Sequence, residues 1–170
     1  VQRDVLEKTL VTKNNVIISF PTGSGKSLIA EIIALKTILE DKEKCVYLFP
    51  LKAIAEEKFD ELLRYYGDLV KIGIFTGDYT KGGFYDQKID GWKYDLLIMT
   101  PERFDSLIRS WRNNEWLNEV GLVVIDEFHL LGLERRGAKL EALILRFRKL
   151  NPFARLLVMS ATLPNIDEFG

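Results

Sequence analysis

The sequence predicts an α/β fold: a doubly wound, mostly parallel sheet with helices on both faces. Short apolar runs rich in Val, Ile and Leu recur along the chain, and segments with helical spacing separate them. Strands that are apolar throughout are buried on both sides, and strands that alternate with helices form a parallel sheet covered on both faces. In such sheets ligands bind beyond the carboxyl ends of the strands. The polar motifs of this chain fall just after its strand candidates, where that rule places chemistry.

The elements follow in order. Val16-Ile17-Ile18-Ser19-Phe20 is a strand candidate that closes at Pro21 and a glycine-rich loop. Residues 27–39 form a helix, because Leu28, Ile29, Ile32, Ile33, Leu35, Ile38 and Leu39 recur at helical spacing. Residues 45–49 form the next strand, closed by Pro50, and a helix follows over 52–66. Further strands are expected at 70–75, 94–99, 122–125 and 155–159, with helices at 101–111 and 136–150. In the last helix Leu140, Leu143, Ile144 and Phe147 share one face. Residues 78–93, with Gly82, Gly83 and Gly91, read as an exposed loop, and the sequence carries no internal repeat or low-complexity tract.

Composition bounds the possibilities. A chain of 170 residues suits one domain, and 47% hydrophobic with 29% charged residues describes a folded chain rather than a disordered one. The net charge of -1 argues against a protein that holds nucleic acid by bulk electrostatics. Contacts to nucleic acid must then be local and assembled by the fold. Cys45 is the single cysteine, which excludes an intrachain disulfide and fits a reducing intracellular compartment, cytoplasmic or nuclear. No apolar run is long enough to span a membrane, so no membrane partner is expected. The chain starts at Val1 without Met and stops at Gly170 as a new helix begins, and so reads as a piece of something larger.

Pro21-Thr22-Gly23-Ser24-Gly25-Lys26-Ser27 lies between a strand and a helix. Glycines let the backbone wrap closely, so that successive N–H groups point at phosphate oxygens, and the helix adds its positive dipole end. Thr22, Gly23, Ser24 and Gly25 would line the phosphates, Lys26 would neutralise the β- and γ-phosphates, and Ser27 would ligate Mg²⁺. The usual pattern has Gly four residues before Gly25-Lys26, where this chain has Phe20; Pro21 and Gly23 remain to supply the turn. The bland alternative is a glycine-rich turn with an incidental lysine.

Val123-Val124-Ile125 runs directly into Asp126-Glu127-Phe128-His129. Carboxylates at the end of a buried strand are costly unless something cationic engages them. Asp126 is assigned to the Mg²⁺ shell opposite Ser27, and Glu127 to the general base that polarises an attacking water. A pair of solvated loop carboxylates is the plainer reading. His129, the single histidine, is either a structural histidine or a residue that couples the nucleotide to the third motif.

Pro21 to Ser27, Asp126-Glu127-Phe128-His129 and Ser160-Ala161-Thr162 occur in that order, each just beyond a strand candidate. Together they resemble the first RecA-like, ATP-binding lobe of a superfamily 2 helicase of the DExH kind, a P-loop NTPase domain. The resemblance covers essentially the whole chain. Arg136-Gly137, Leu140-Glu141-Ala142 and Ser160 to Asn165 resemble a narrower branch of archaeal DNA-repair helicases and eukaryotic exosome and spliceosomal helicases, with which a bulky Phe20 is compatible.

That resemblance implies ATP and Mg²⁺ as cofactors and a strand of DNA or RNA as partner. Gln2 matches a glutamine that reads adenine, with one extra residue before the phosphate loop. Pro50-Leu51-Lys52-Ala53, Thr76-Gly77-Asp78 and Thr100-Pro101-Glu102-Arg103 resemble segments that hold a sugar-phosphate backbone in a single-strand groove. Pro50, Lys52, Thr76, Gly77, Thr100, Pro101 and Arg103 are the expected nucleic-acid residues, beside the alternatives of surface charge for the cations and a plain turn for Thr76-Gly77. Ser160, Ala161 and Thr162, with His129, are the expected coupling residues. The whole of 1–170 reads as one domain that lacks the second RecA-like domain and its arginine finger, so very slow hydrolysis is expected of it alone. No obligate oligomer is expected.

Arg135, Arg136, Lys139, Arg146, Arg148 and Lys149 read as a solvated helix face before a nucleic-acid patch, and Trp92, Trp111 and Trp116 as ordinary buried or half-buried aromatics. Two rivals stay open: a motor that translocates on duplex without separating strands, and a non-catalytic ATP-dependent scaffold.

Overall fold

In the computed structural model the described residues are 14–19, 25–76, 89–126 and 134–160. They form six strands: β1 (Val16–Ser19), β2 (Lys44–Leu48), β3 (Ile72–Phe75), β4 (Leu96–Met99), β5 (Val120–Ile125) and β6 (Arg155–Ser160). Four α-helices accompany them: α1 (Lys26–Leu39), α2 (Lys52–Tyr66), α3 (Pro101–Arg109) and α4 (Glu134–Leu150). The strands make one sheet in the order β1-β6-β5-β2-β4-β3, and every pairing is parallel.

The two-residue alternation of each strand divides the core into two layers. Cys45, Tyr47, Leu96, Ile98, Leu122, Val124, Leu157 and Met159 pack with Ile29, Ile33, Ala34 and Ile38 of α1 and with Ala55 and Leu62 of α2. Val46, Leu48, Leu97, Met99, Val123, Ile125 and Leu156 pack on the other face with Phe104 and Leu107 of α3 and with Leu140, Leu143 and Phe147 of α4. The chain moves across the sheet from β1 to β2 to β3, then reverses through β4 and β5 to β6. Right-handed crossovers therefore place the helices of the outward leg on one face and those of the return leg on the other. The doubly wound expectation holds, and the pairing among described residues is wholly parallel.

Element ends depart from the expected ones where backbone groups find other partners. Val70 donates its N–H to Tyr66 O at 3.0 Å as α2 closes, so β3 starts at Ile72. Tyr94 likewise bonds back to Gly91 O, which leaves β4 to start at Leu96. Helix α3 ends at Arg109 rather than 111, because Ser110 Oγ donates to Ser106 O at 3.0 Å and two 3₁₀ turns follow. The expected loop over 78–93 contains a 3₁₀ turn at Gly91–Lys93. Gly91 lies against the Trp116 indole so closely that a Cβ would enter the ring.

Strand β5 begins two residues before expectation, at Val120. Lys44 pairs with Val120 and Cys45 with Leu122, so Gly121 is a bulge residue. A Cβ there would collide with the Glu43 side chain. The buried amide of Asn151 secures this start: Nδ2 donates to Leu117 O at 3.1 Å and Val120 O at 2.8 Å, while Oδ1 accepts from Ala154 N at 3.1 Å. One side chain thus ties the end of α4 to the starts of β5 and β6. Asn151→Ala leaves several buried backbone groups without partners and is expected to cost about 2–4 kcal/mol in a urea titration, with the slope unchanged. A loss under about 0.5 kcal/mol would show that water replaces those bonds at little cost.

Candidate functional site

Parallel pairing aligns the carboxyl ends of the strands. Leu48 pairs with both Met99 and Ile125, and Phe75 pairs with Met99, so the four strand ends share one row. The residues that follow, Phe49, Thr76, Thr100 and Asp126, begin the polar edge. Ile125 also pairs with Val158, and Ser19 with Ser160, so β1 and β6 reach the same edge.

Strand order then sorts the motifs into two groups. Strands β1, β6 and β5 are neighbours: the helix after β1 starts with Lys26 and Ser27, β6 ends at Ser160, and Asp126 directly follows β5. With about 4.8 Å between strands, β1 and β5 stand roughly 10 Å apart, with β6 between them. The connection from β1 leads to α1 on one face and the chain after β5 leads to α4 on the other. Open α/β sheets bind their ligands beyond the carboxyl ends of strands whose connections part to opposite faces.

Gly25 takes φ 76°, a left-handed conformation that suits glycine, and turns the chain into α1. It supplies no side-chain cap, and the start of a helix is where backbone N–H groups and the helix dipole favour an anion. Lys26, the first helical residue, is buried at 7% exposure, and Ser27 is half-buried. Asp126 is also 7% exposed, and its N–H donates to Leu48 O at 3.0 Å. Ser160 is buried at the end of β6. An ammonium and a carboxylate buried at one edge are costly to desolvate unless opposite charge engages them.

The side chains fit a hard cation. Ser27 and Asp126 offer oxygen only, and among the described residues no group of three or more His, Cys, Asp or Glu side chains could enclose a metal by itself. Such a sparse oxygen set suits Mg²⁺, which is held by one or two protein oxygens while phosphates and water complete its shell. Cys45 takes no part: burial, aided by the nearby charge of Glu43, pushes its thiol well up and keeps it neutral.

The other group sits on β2, β4 and β3. Pro50 is buried and Lys52, the first residue of α2, is half-buried. Leu51 at the N-cap forms no side-chain cap to α2, which also begins at this edge. Helix α3 differs. Thr100 caps it by accepting from Arg103 N at 3.4 Å, and buried Pro101 fills its first position. The Thr100 hydroxyl keeps its own proton to donate, and Arg103 is half-buried beside it. Thr76, which directly follows β3, is buried at 3% exposure.

Gln2, Thr22, Gly23, Ser24, Gly77, Glu127, His129, Ala161 and Thr162 lie outside the described residues, as do the side chains of Arg135 and Arg136. Within the basic stripe Lys139 and Lys149 are exposed, in keeping with a solvated face. Arg146 instead bonds Asp105 at 2.7 Å, and Arg148 donates to Pro152 O at 3.1 Å. Asp105 also holds Arg109 at 2.8 Å and so joins α3 to α4, a link that only the packing reveals. Trp116 is buried, whereas Trp92 and Trp111 are exposed and lie against Lys44 and Arg112.

The chain matches the DEAD/DEAH box helicase family over residues 1–169. It is 41% identical over 171 residues to the ATP-dependent DNA helicase Hel308 of Pyrococcus abyssi, covering 99% of this chain and 22% of that protein. Against Hel308 of Methanococcus vannielii the identity is 39% over 176 residues, with the same coverage of 99% and 22%. The crystal structure of the DUF1998 helicase MrfA superposes with a TM-score of 0.78 at 25% identity, over 99% of this chain and 27% of that one. The chain thus spans 22% of the length of these Hel308 relatives. With this family match and its all-parallel sheet, the chain belongs to the DEAD/DEAH box helicase family as a first RecA-like domain.

Proposed function

We propose that this domain is the ATP-binding lobe of an ATP-dependent DNA helicase or translocase that couples hydrolysis to movement on a single strand. The observation that carries this reading is the sorting of motifs along one sheet edge. Lys26, Ser27, Asp126 and Ser160 gather on β1-β6-β5, and Pro50, Lys52, Thr100 and Arg103 on β2-β4-β3. The relatives named as DNA helicases favour DNA as the strand.

On this reading Lys26 and the start of α1 hold the β- and γ-phosphates, with Thr22, Gly23, Ser24 and Gly25 as further phosphate-binding residues. Gln2 reads the adenine. Ser27 and Asp126 would hold Mg²⁺, which when bound neutralises phosphate charge. Glu127 accepts the proton of the attacking water. His129, Ser160, Ala161 and Thr162 relay the nucleotide state toward the strand. The start of α2, Lys52, Arg103, the Thr100 hydroxyl, and Thr76-Gly77 hold the sugar-phosphate backbone and position it without reading its sequence. A second RecA-like domain of the same protein supplies the closing partner, so the isolated lobe turns over ATP very slowly and does not unwind.

The test is ATP turnover by the full-length protein with and without single-stranded DNA and RNA. DNA is expected to stimulate turnover, and the stimulation to fade as salt rises, because each phosphate contact releases bound counterions. Indifference to both polymers at every salt concentration would remove the helicase reading. Lys26→Ala is expected to lower kcat about 10²–10³-fold, as loss of a group aimed at developing charge does. Glu127→Gln should cost about 10²–10⁴-fold in kcat while ATP binding persists, measured by equilibrium titration with a fluorescent nucleotide. Unchanged turnover in Glu127→Gln would take that residue out of the chemistry.

A further inference from the structure

Helices α1 and α2 meet through a compact polar cluster that the proposed chemistry does not use. Glu31 of α1 is buried at 7% exposure. Its Oε1 accepts from Lys58 Nζ of α2 at 2.6 Å, and its Oε2 accepts from the Tyr66 hydroxyl, also of α2, at 3.0 Å. Lys58 spends a second N–H on Glu61 at 2.8 Å. Burial alone would lower the Lys58 ammonium, but its bonds to Glu31 and Glu61 outweigh that and raise its pKa. Lys58 therefore stays charged across the ordinary pH range. Beneath it a crevice lined by Ala34, Leu35, Ile38, Leu62 and Val70 measures only about 10 Å³, room for at most one water.

Such a cluster is a poor way to gain stability, since well-packed apolar side chains of similar volume hold two helices as well or better. What it adds is direction. Each oxygen of one carboxylate is bound to a separate donor of the facing helix, which sets the rotation and height of α1 against α2. Those two helices begin at the two halves of the functional edge. Glu31 stands five residues after Lys26, about 7.5 Å along α1, and Lys58 six residues after Lys52, about 9 Å along α2.

We propose that Glu31, Lys58 and Tyr66 are positioning residues that register the phosphate-loop helix against the helix that opens the strand groove, so that an occupied groove is felt at the nucleotide. This rests on the proposed function. The cluster touches neither ligand and acts through the two helix starts.

The experiment compares the full-length protein with Lys58→Met, Lys58→Arg and Tyr66→Phe, reading basal ATP turnover, turnover with a single-stranded DNA oligonucleotide, and Tm. Lys58→Met and Tyr66→Phe are expected to keep basal kcat within about twofold while the DNA-stimulated increase falls about fivefold or more, the lower end of ordinary coupling between sites. Lys58→Arg, which keeps the ion pair, is expected to restore most of the stimulation. Tyr66→Phe loses a single hydroxyl and tests the idea should Lys58→Met fail to fold. A Tm loss with basal and stimulated rates falling in parallel identifies a structural brace and overturns the proposal. So does full stimulation in Tyr66→Phe and in any folded Lys58→Met. A wild-type protein that ignores the oligonucleotide overturns the functional reading, and the inference with it.

Discussion

A parallel strand can be continued only by a crossover that climbs back over one face of the sheet, and every major feature of this domain follows from that constraint. All six strands point one way, so all six carboxyl ends lie on one edge. Both faces must be covered, so neighbouring residues in one strand serve opposite layers: Cys45 and Tyr47 meet α1 and α2, while Val46 and Leu48 meet α3 and α4. Each such side chain is worth about 1.5–3 kcal/mol on burial, so a one-residue slip would move an entire set to the wrong layer.

The second consequence is spatial sorting. The chain crosses from β1 over two positions to reach β2, then returns to fill those positions with β5 and β6. The return leg brings Asp126 and Ser160 to the same part of the edge as Lys26, although a hundred or more positions separate each from it in sequence. It also leaves β2, β4 and β3 together as the other half of the edge. The two halves are not separate bodies. Asp126 donates its N–H to the carbonyl of Leu48, and Phe49 donates to Met99, so the hydrogen-bond ladder runs unbroken beneath both.

Polar groups inside the packing settle what apolar contact leaves loose. Asn151 holds the end of α4 to the starts of β5 and β6, and Asp105 grips Arg109 within α3 and Arg146 across on α4. Hydrophobic burial is non-directional and tolerates small rotations of a helix on a sheet. A hydrogen bond does not, and a buried donor or acceptor left alone costs more than the bond gains. Two of the basic side chains that look like a solvated stripe in sequence, Arg146 and Arg148, are fasteners of this kind.

Residue order alone was enough for the fold class, because apolar runs and helical spacing are local properties of a chain that must bury both faces of its strands. The positions of Gly25-Lys26-Ser27 and Asp126 were legible for the same reason, since each stands at a strand or helix boundary that pattern locates. Exact boundaries were not legible, since Val70, Tyr94 and Ser110 choose partners by backbone geometry. Nor was the bulge at Gly121, which exists because of the neighbouring strand. Tertiary structure decided which motifs are neighbours, which of Trp92, Trp111 and Trp116 is buried, and that Glu31 faces Lys58 and Tyr66. Those outcomes depend on strand order and on contacts between residues far apart in the chain, and no local pattern encodes them.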